Sequence, residues 1–494
     1  MNVHCMTKTL ATSFVVAFAA ASLAETGELP EGAFSSRTVK AAPPDMRTIV
    51  VSPANTLGPV KPLNGVNNAP IRPRAYQSRS NFAAYKAARI PSARTHDSVF
   101  YSGYGGSHVA DISAIFPEFE KDENDPSSYD FIFTDRMLET IRMAGTEVFY
   151  RLGQSIEHGV KKYHVGPPKD YGKWARICEH VIRHYNEGWA DGFKWNVRHW
   201  EIWNEASNNA TNNPTCWGGT EAQFHDFYEV VARHLKKTFP DLMIGGPATT
   251  GWEEWSERFL VEMGKRKVPL DFFSWHCYHT KPEAVAERAR HMRGYMDANG
   301  YKTAKSYMTE WNYVRDWSPE WSYSLSVESG VRRLKGAAYV AAVLASCQNA
   351  PVDLAHYYDA RPMTQMNGLF SLNDFSPLPG YYSIYAWSKL VALGTQVEVS
   401  NVRSADKGDL DDVYAVAAAD GRGRFGVYLA RYSDDDNSVR MKRVRVSVVG
   451  ASLDGLFSHV IDSNRLFTEV PLEADADGSV VLDLEPSCVV YLGN

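Results

Sequence analysis

The run His199-Trp200-Glu201-Ile202-Trp203-Asn204-Glu205 is short, apolar and ends abruptly in a polar pair. Ser306-Tyr307-Met308-Thr309-Glu310-Trp311-Asn312 repeats the pattern, again with a Glu beside aromatics and an Asn close by. Runs of this length that stop at polar residues read as buried strands whose C-terminal ends open onto solvent. The two terminal glutamates lie 310 − 205 = 105 residues apart, room for several strand–helix units. If both strands belong to one parallel barrel, their carboxyl groups meet across its mouth.

Working outward, strands are expected at 63–66, 90–94, 147–152, 197–203, 243–246, 272–276, 306–310 and 354–358. Amphipathic or apolar helices alternate with them at 81–89, 133–144, 171–186, 220–239, 252–265, 282–298, 327–349 and 381–393. Eight such units predict an α/β fold, a (β/α)8 TIM barrel over residues 62–393. Polar residues gather after the strands, where barrels of this kind place their active sites. A doubly wound sheet would also alternate, but the Gly-rich phosphate turn common in that fold is not evident. Past Gly394 the texture changes to short strands at 413–416, 425–429, 444–448 and 489–492, separated by turns rich in Asp, Gly and Asn. Residues 394–494 are therefore expected to form a C-terminal β-sandwich.

The other end reads as an export signal. Lys8 precedes an apolar, small-residue run at 10–23, and Ser22-Leu23-Ala24 suits cleavage after residue 24. The run is short for a membrane span. Residues 25–61 are a leader plus a strand, Arg47-Thr48-Ile49-Val50-Val51, that comes too early for the barrel and is expected to join the β-sandwich. The expected location is secreted or periplasmic, with no membrane contact once the signal is removed. A net charge of −6 over 494 residues argues against a nucleic-acid partner. Aromatics make up 12% of the chain, which serves either a large core or a cleft that stacks on sugar rings. The cysteines form no disulfide framework or zinc pattern. His276-Cys277-Tyr278-His279 lacks the spacing of a helix-borne metal pair, so neither a metal nor another cofactor is expected. Oligomeric state is not legible.

Paired carboxyl groups at a barrel mouth suit glycoside hydrolysis, in which one protonates the leaving oxygen and the other attacks the anomeric carbon. At Trp203-Asn204-Glu205 and Thr309-Glu310-Trp311-Asn312, with Phe272-Phe273-Ser274-Trp275-His276 and Tyr278 between them, the chain resembles the clan A barrel glycosidases. Within them it is most similar to glycoside hydrolase family 39, which holds β-xylosidases, α-L-iduronidases and relatives. The likeness covers roughly residues 62–393 in element order. It implies a retaining enzyme with Glu205 as acid/base, Glu310 as nucleophile and Asn204 on the sugar hydroxyl beside the reacting carbon. It also makes Arg94 and Tyr278 the groups that keep Glu310 ionised. One departure is Ala206-Ser207-Asn208 after the acid/base, where family members often carry Pro.

In a strict strand Asn204 and Glu205 would face opposite ways, so both reach the site only if one lies past the regular strand. Glu201 shares parity with Glu205 but lies lower in the barrel and is expected to be structural. His276 is expected to touch the sugar or to support a group that does. His96, Asp97, Gln154, His158, Asp359 and Arg361 follow barrel strands and are candidate sugar ligands, and Trp311 is a candidate stacking platform. The expected partner is an oligosaccharide or polysaccharide, cut most readily from a chain end. Endo action and an inactive carbohydrate-binding barrel are the alternatives, the second opposed by the intact Glu pair. The sugar and its linkage are not written in these motifs.

Overall fold

The computed structural model describes residues 46–493 apart from 76–77, 97–107, 158, 209–213, 252, 316, 318–326, 363–365 and 401–411. The proposed signal at 1–24 and the candidates Asp97 and His158 lie outside the described residues.

The first strand, β1 (Arg47–Pro59), belongs to the C-terminal sheet and is taken up below. The barrel strands follow as β2 (Gly65–Asn67), β3 (Ser92–Arg94), β4 (Glu147–Leu152), β5 (His199–Ile202), β6 (Met243–Thr249), β7 (Phe272–Tyr278), β8 (Lys305–Asn312) and β9 (Leu354–Tyr357). They pair in sequence order, all parallel, and β9 closes on β2 through Gly65 opposite His356. The helices between them bury one face each. In Tyr171–Asn186 the buried positions Trp174, Ile177, Cys178, Val181, Ile182 and Tyr185 recur at helical spacing. The helix Glu221–Thr238 starts at a reciprocal cap, in which the Gln223 amide N–H donates to Thr220 Oγ1 and the Thr220 N–H to Gln223 Oε1. The long helix expected at 327–349 is broken. A single π turn at Val327–Val331 is followed by an extended Arg333, and the regular helix runs only from Leu334 to Gln348. Glycine is needed at the break, because Gly336 sits so near Val331 that a Cβ there would lie 2.1 Å from its carbonyl oxygen.

The barrel interior is layered. Its lower end is plugged by Phe149, Phe272 and Tyr307, with Met243 and Leu354 packed against them. The Phe272 and Tyr307 rings lie 4.8 Å apart, and His199 stacks on Phe149 at 5.4 Å. Gly245 makes room for this plug, since a Cβ there would fall 2.2 Å from the Phe272 carbonyl oxygen. Polar and charged side chains occupy the layers above.

The remaining strands, β10 (Thr395–Ser400), β11 (Val413–Ala419), β12 (Phe425–Tyr432), β13 (Lys442–Val448), β14 (Phe457–Ile461), β15 (Leu466–Pro471), β16 (Val480–Leu484) and β17 (Ser487–Gly493), join β1 in one mixed sheet. Its order is β15-β14-β17-β12-β11-β10-β1-β13-β16. β1 lies antiparallel to β10 and parallel to β13. The sheet curls until residues of β14 and β15 line a cleft with those of β16, and its concave side encloses one apolar core. The two-layered module is thus a single sheet folded on itself. All five described cysteines are free and buried.

Phe272→Ala removes the centre of the plug. It is expected to cost about 3–5 kcal/mol, read as a lower urea midpoint at unchanged slope.

Candidate functional site

β5 ends at Ile202, so Trp203, Asn204 and Glu205 all lie past the regular strand. Trp203 has φ 73° and Glu205 φ 47°, both left-handed. These turns break the strand alternation and let Asn204 and Glu205 enter the mouth together. A left-handed non-glycine residue costs on the order of 1–3 kcal/mol and persists only where the surroundings over-determine it. Here the Trp203 amide donates to Leu152 O at 2.6 Å and its indole Nε1 to Cys216 O at 2.9 Å. The indole packs at 5.2 Å from Trp217 and 5.3 Å from Phe227. The Glu205 amide donates to Ala248 O at 3.0 Å.

Glu310 arrives by a different device. β7 and β8 run in register as far as Trp275 opposite Met308, and then His276 pairs with Glu310. Thr309 is one extra residue, a bulge in β8. It turns Glu310 inward beside His276 and Trp311 outward beside Cys277. Trp311 is therefore not a stacking platform. It is fully buried between barrel and helices, with its ring 5.3 Å from Tyr357 and 6.5 Å from Tyr339. The bulge is pinned where Asn67 Nδ2 donates to Thr309 O at 2.9 Å.

One buried cation joins these groups. Arg94, at the end of β3, donates through Nε to Glu201 at 2.6 Å and through Nη1 to Glu310 Oε1 at 2.7 Å. It also donates through Nη1 to Asn67 Oδ1 at 3.0 Å and through Nη2 to Asn204 Oδ1 at 2.7 Å. Burial works against its charge, but Glu201 and Glu310 outweigh that and hold its pKa above the usual value. The other oxygen of Glu310 accepts from the Tyr278 hydroxyl at 2.6 Å, and His96 Nε2 lies 3.3 Å from Oε1.

Glu205 has different surroundings. Its Oε1 is 2.7 Å from His276 Nδ1, and Cys216 Sγ lies 3.9 Å from Oε2. Burial raises its pKa, against the pull of His96 and Arg94. Burial also pushes His276 down to about 4, with Arg94 and His96 adding to the effect and Glu310 opposing it. The imidazole is therefore neutral near pH 7. His276 Nδ1 is 3.5 Å from Glu310 Oε2, and one ligand atom from each of Glu205, His276 and Glu310 lies within 4.8 Å of the others. That trio has the spacing of a cation site. However, Arg94 already pairs with Glu310, and burial works against a charge on Glu205, so the trio is a poor host for a metal.

The candidate ligands divide. Asn204 has its oxygen fixed by Arg94, while its buried Nδ2 has no protein partner and is a donor for a bound hydroxyl. Glu201 sits below the carboxyl pair, fully buried against Arg94. Gln154 accepts from the Ser113 hydroxyl at 2.6 Å. Asp359 and Arg361 pair with each other, Arg361 Nε donating at 3.0 Å, and Asn68 donates to Asp359 at 3.2 Å. They are linked to the site through Asn68, which accepts from the His96 amide at 3.2 Å, and through Tyr358, whose ring lies 5.7 Å from that of His96. Three contributors are new. Asn67 ties Arg94 to the bulge, Arg151 pairs with Asp111 at 2.7 Å beneath His96, and Cys216 walls Glu205. Arg151 shares strand parity with the inward Phe149 and was legible from alternation, whereas Cys216 sits in a loop and carries no such signal.

A neutral isostere tests the electrostatics. In the native state Glu205 keeps its proton above the ordinary value of 4.5, so the wild type loses stability as pH rises from 4.5 through the folded pKa. Glu205→Gln escapes that loss. Its stability gain in urea titrations should be absent below pH 4.5, grow across that window and then level off.

Comparison with known proteins agrees with this geometry. The family model described as glycosyl hydrolases family 39 matches residues 90–390. A β-xylosidase of Geobacillus stearothermophilus is 33% identical over 189 residues, 36% of this chain and 36% of that protein. The matched stretch thus spans about a third of that relative. A glucosidase structure from Croceicoccus marinus superposes with a TM-score of 0.71 at 20% identity, covering 91% of this chain and 98% of that one. A monomeric β-xylosidase from Caulobacter crescentus gives 0.64 at 19% identity, covering 90% and 99%. With the model match running through most of the barrel, including both glutamates, the chain belongs to family 39 of the glycosyl hydrolases.

Proposed function

We propose that the protein is an exported, retaining, exo-acting glycosidase in which Glu310 is the nucleophile and Glu205 the acid/base. The observation that carries this reading is the closeness of two carboxyl groups in opposite environments. Oxygens of the pair lie within 4.8 Å. This suits the roughly 5–5.5 Å separation of retaining sites and not the roughly 6.5–9.5 Å that admits a water in inverting ones. Glu310 carries hydrogen bonds from the Arg94 guanidinium and the Tyr278 hydroxyl, while burial raises the pKa of Glu205. A cation hydrogen-bonded to one carboxyl and a raised pKa at the other assign the roles.

In the first step a Glu310 oxygen bonds to the anomeric carbon as the glycosidic C–O bond breaks. The Glu205 proton passes to the departing oxygen, leaving a glycosyl ester on Glu310 and a carboxylate at Glu205. Arg94 and His96 lower the cost of that carboxylate. In the second step Glu205 takes a proton from water, the water oxygen bonds to the anomeric carbon, and the ester C–O bond breaks to restore Glu310. Asn204 Nδ2 holds the neighbouring hydroxyl throughout. Proton transfer of this kind contributes about 10²–10⁴ in rate.

β-Linked xylosides are the first substrates to consider, because the sequence relative is a β-xylosidase. Release from the chain end is carried over from the same resemblance. Export rests on Lys8, the apolar run at 10–23 and Ser22-Leu23-Ala24.

Glu310→Ala should lose turnover of every glycoside. Glu205→Ala should lose about 10²–10⁴ on alkyl xylosides, yet still form the ester from 2,4-dinitrophenyl β-xyloside, and azide should then accelerate turnover and be captured as a β-xylosyl azide. Proton NMR of the first product should show the β-anomer, and initial release of the α-anomer would refute retention.

A further inference from the structure

The loop after β5 brings Cys216 against the acid/base. Its Sγ lies 3.9 Å from Glu205 Oε2, with the thiol as donor, and 3.7 Å from Thr215 Oγ1. Both Cys216 and Glu205 are buried. A buried cysteine is ordinarily a small apolar filler. What sets this one apart is how its backbone is held beside the carboxyl. The Cys216 carbonyl accepts from the Trp203 indole, on the left-handed turn that carries Glu205 into the mouth. Thr215 O accepts from the Glu157 amide at 2.9 Å, and the Gly218 amide donates to Val165 O at 2.7 Å. Trp217, fully buried, packs its ring against that of Trp203. The turn that aims the carboxyl and the loop after β4 thus fix the thiol against Oε2.

The two carboxyl groups keep unlike company. Glu310 takes hydrogen bonds from a guanidinium and a hydroxyl, at 2.7 and 2.6 Å. Glu205 Oε1 meets the imidazole of His276, and its Oε2 meets the thiol. A thiol is a weak donor beside a hydroxyl, an amide or water. At 3.9 Å it takes the place of water at Oε2 and gives a carboxylate little in return. Such surroundings disfavour the charged form. Burial, with Glu205 adding to it, holds the thiol itself well above its usual pKa, so Cys216 brings no charge of its own. The other titratable and charged groups facing Glu205 are Arg94 and His96 at and after β3, His276 and Tyr278 on β7, and Glu310 on β8. Arg94, His96 and a side-chain hydrogen bond from Asn208 favour ionised Glu205, and burial opposes them. The wall at 216 is part of that burial.

We propose that Cys216 is a positioning residue for the acid/base: its thiol seals the Oε2 side of Glu205 and leaves that carboxyl dry, so that it meets the substrate with its proton in place. A side chain that bonds Oε2 strongly, or admits water to it, makes Glu205 give up its proton at lower pH. The proposal rests on the acid/base reading of Glu205.

The test is the pH dependence of kcat/KM for methyl β-xyloside, whose leaving group needs a proton, beside 2,4-dinitrophenyl β-xyloside, whose leaving group does not. Glu205 serves as acid only while protonated, so activity on the first falls as pH rises through its pKa. Cys216→Ser should move that falling limb to lower pH and cost roughly tenfold in kcat/KM on its alkaline side, with 2,4-dinitrophenyl β-xyloside nearly untouched. Cys216→Val keeps the wall apolar and should hold the limb at or above its wild-type position. The same difference is read without substrate. In urea titrations the pH window over which Glu205→Gln gains stability should close at lower pH in a Cys216→Ser background than in a Cys216→Val one. Coinciding limbs and windows in the two backgrounds overturn the proposal, as does a Cys216→Ser loss that is equal for both xylosides at every pH. If Glu205→Ala still loses methyl β-xyloside in either case, the acid/base reading stands without it. Wild-type turnover of methyl β-xyloside by Glu205→Ala brings both down.

Discussion

A single guanidinium organises the mouth of this barrel. Arg94 is wholly buried and touches Glu201, Glu310, Asn67 and Asn204. Taking a cation out of water costs several kcal/mol even after relaxation, and the cost is met only when good geometry satisfies its donors. Two carboxylates and two amide oxygens do that here. The arrangement also works in reverse, because each of the four partners is oriented by the same rigid fork. Glu310 is thereby aimed upward with its charge compensated, and Asn204 is turned so that its amide nitrogen faces the cleft. Removing Arg94 would strand two buried carboxylates at once, so the catalytic geometry and the stability of the barrel share one interaction.

The carboxyl groups reach each other through two local departures from strand regularity. Left-handed residues at 203 and 205 bring consecutive side chains to the same side, and a bulge at 309 reverses the alternation of β8. Each departure is held by burial beside it: Trp203 among aromatics on one side, Trp311 in the layer between barrel and helices on the other. The tryptophans next to the two glutamates therefore serve the backbone conformation.

Much of this was legible in the chain. Eight strands read from apolar runs fall within a few residues of those observed, because a parallel strand buried on both faces must be nearly continuous in apolar residues. The strand ends gave Glu205, Glu310 and His276, and the resemblance to clan A glycosidases added Arg94, Asn204 and Tyr278; the barrel brings all six together. Glu201 was separable from the pair by its depth. The helix expected at 327–349 is interrupted, since apolar content reports burial but not the close approach of Gly336 to Val331.

The sequence by itself determined the barrel, the two strands that carry the carboxyl groups and the chemistry those groups suit, because periodicity and residue type are local properties. Only the tertiary structure decided which way Trp311 points, that Asp359 and Arg361 satisfy each other, and that Arg315 is taken by two aspartates from more than a hundred residues away. A one-residue bulge or an ion pair distant in sequence leaves no periodic trace. Both are settled by which backbone atoms and charges finally lie side by side in the folded chain.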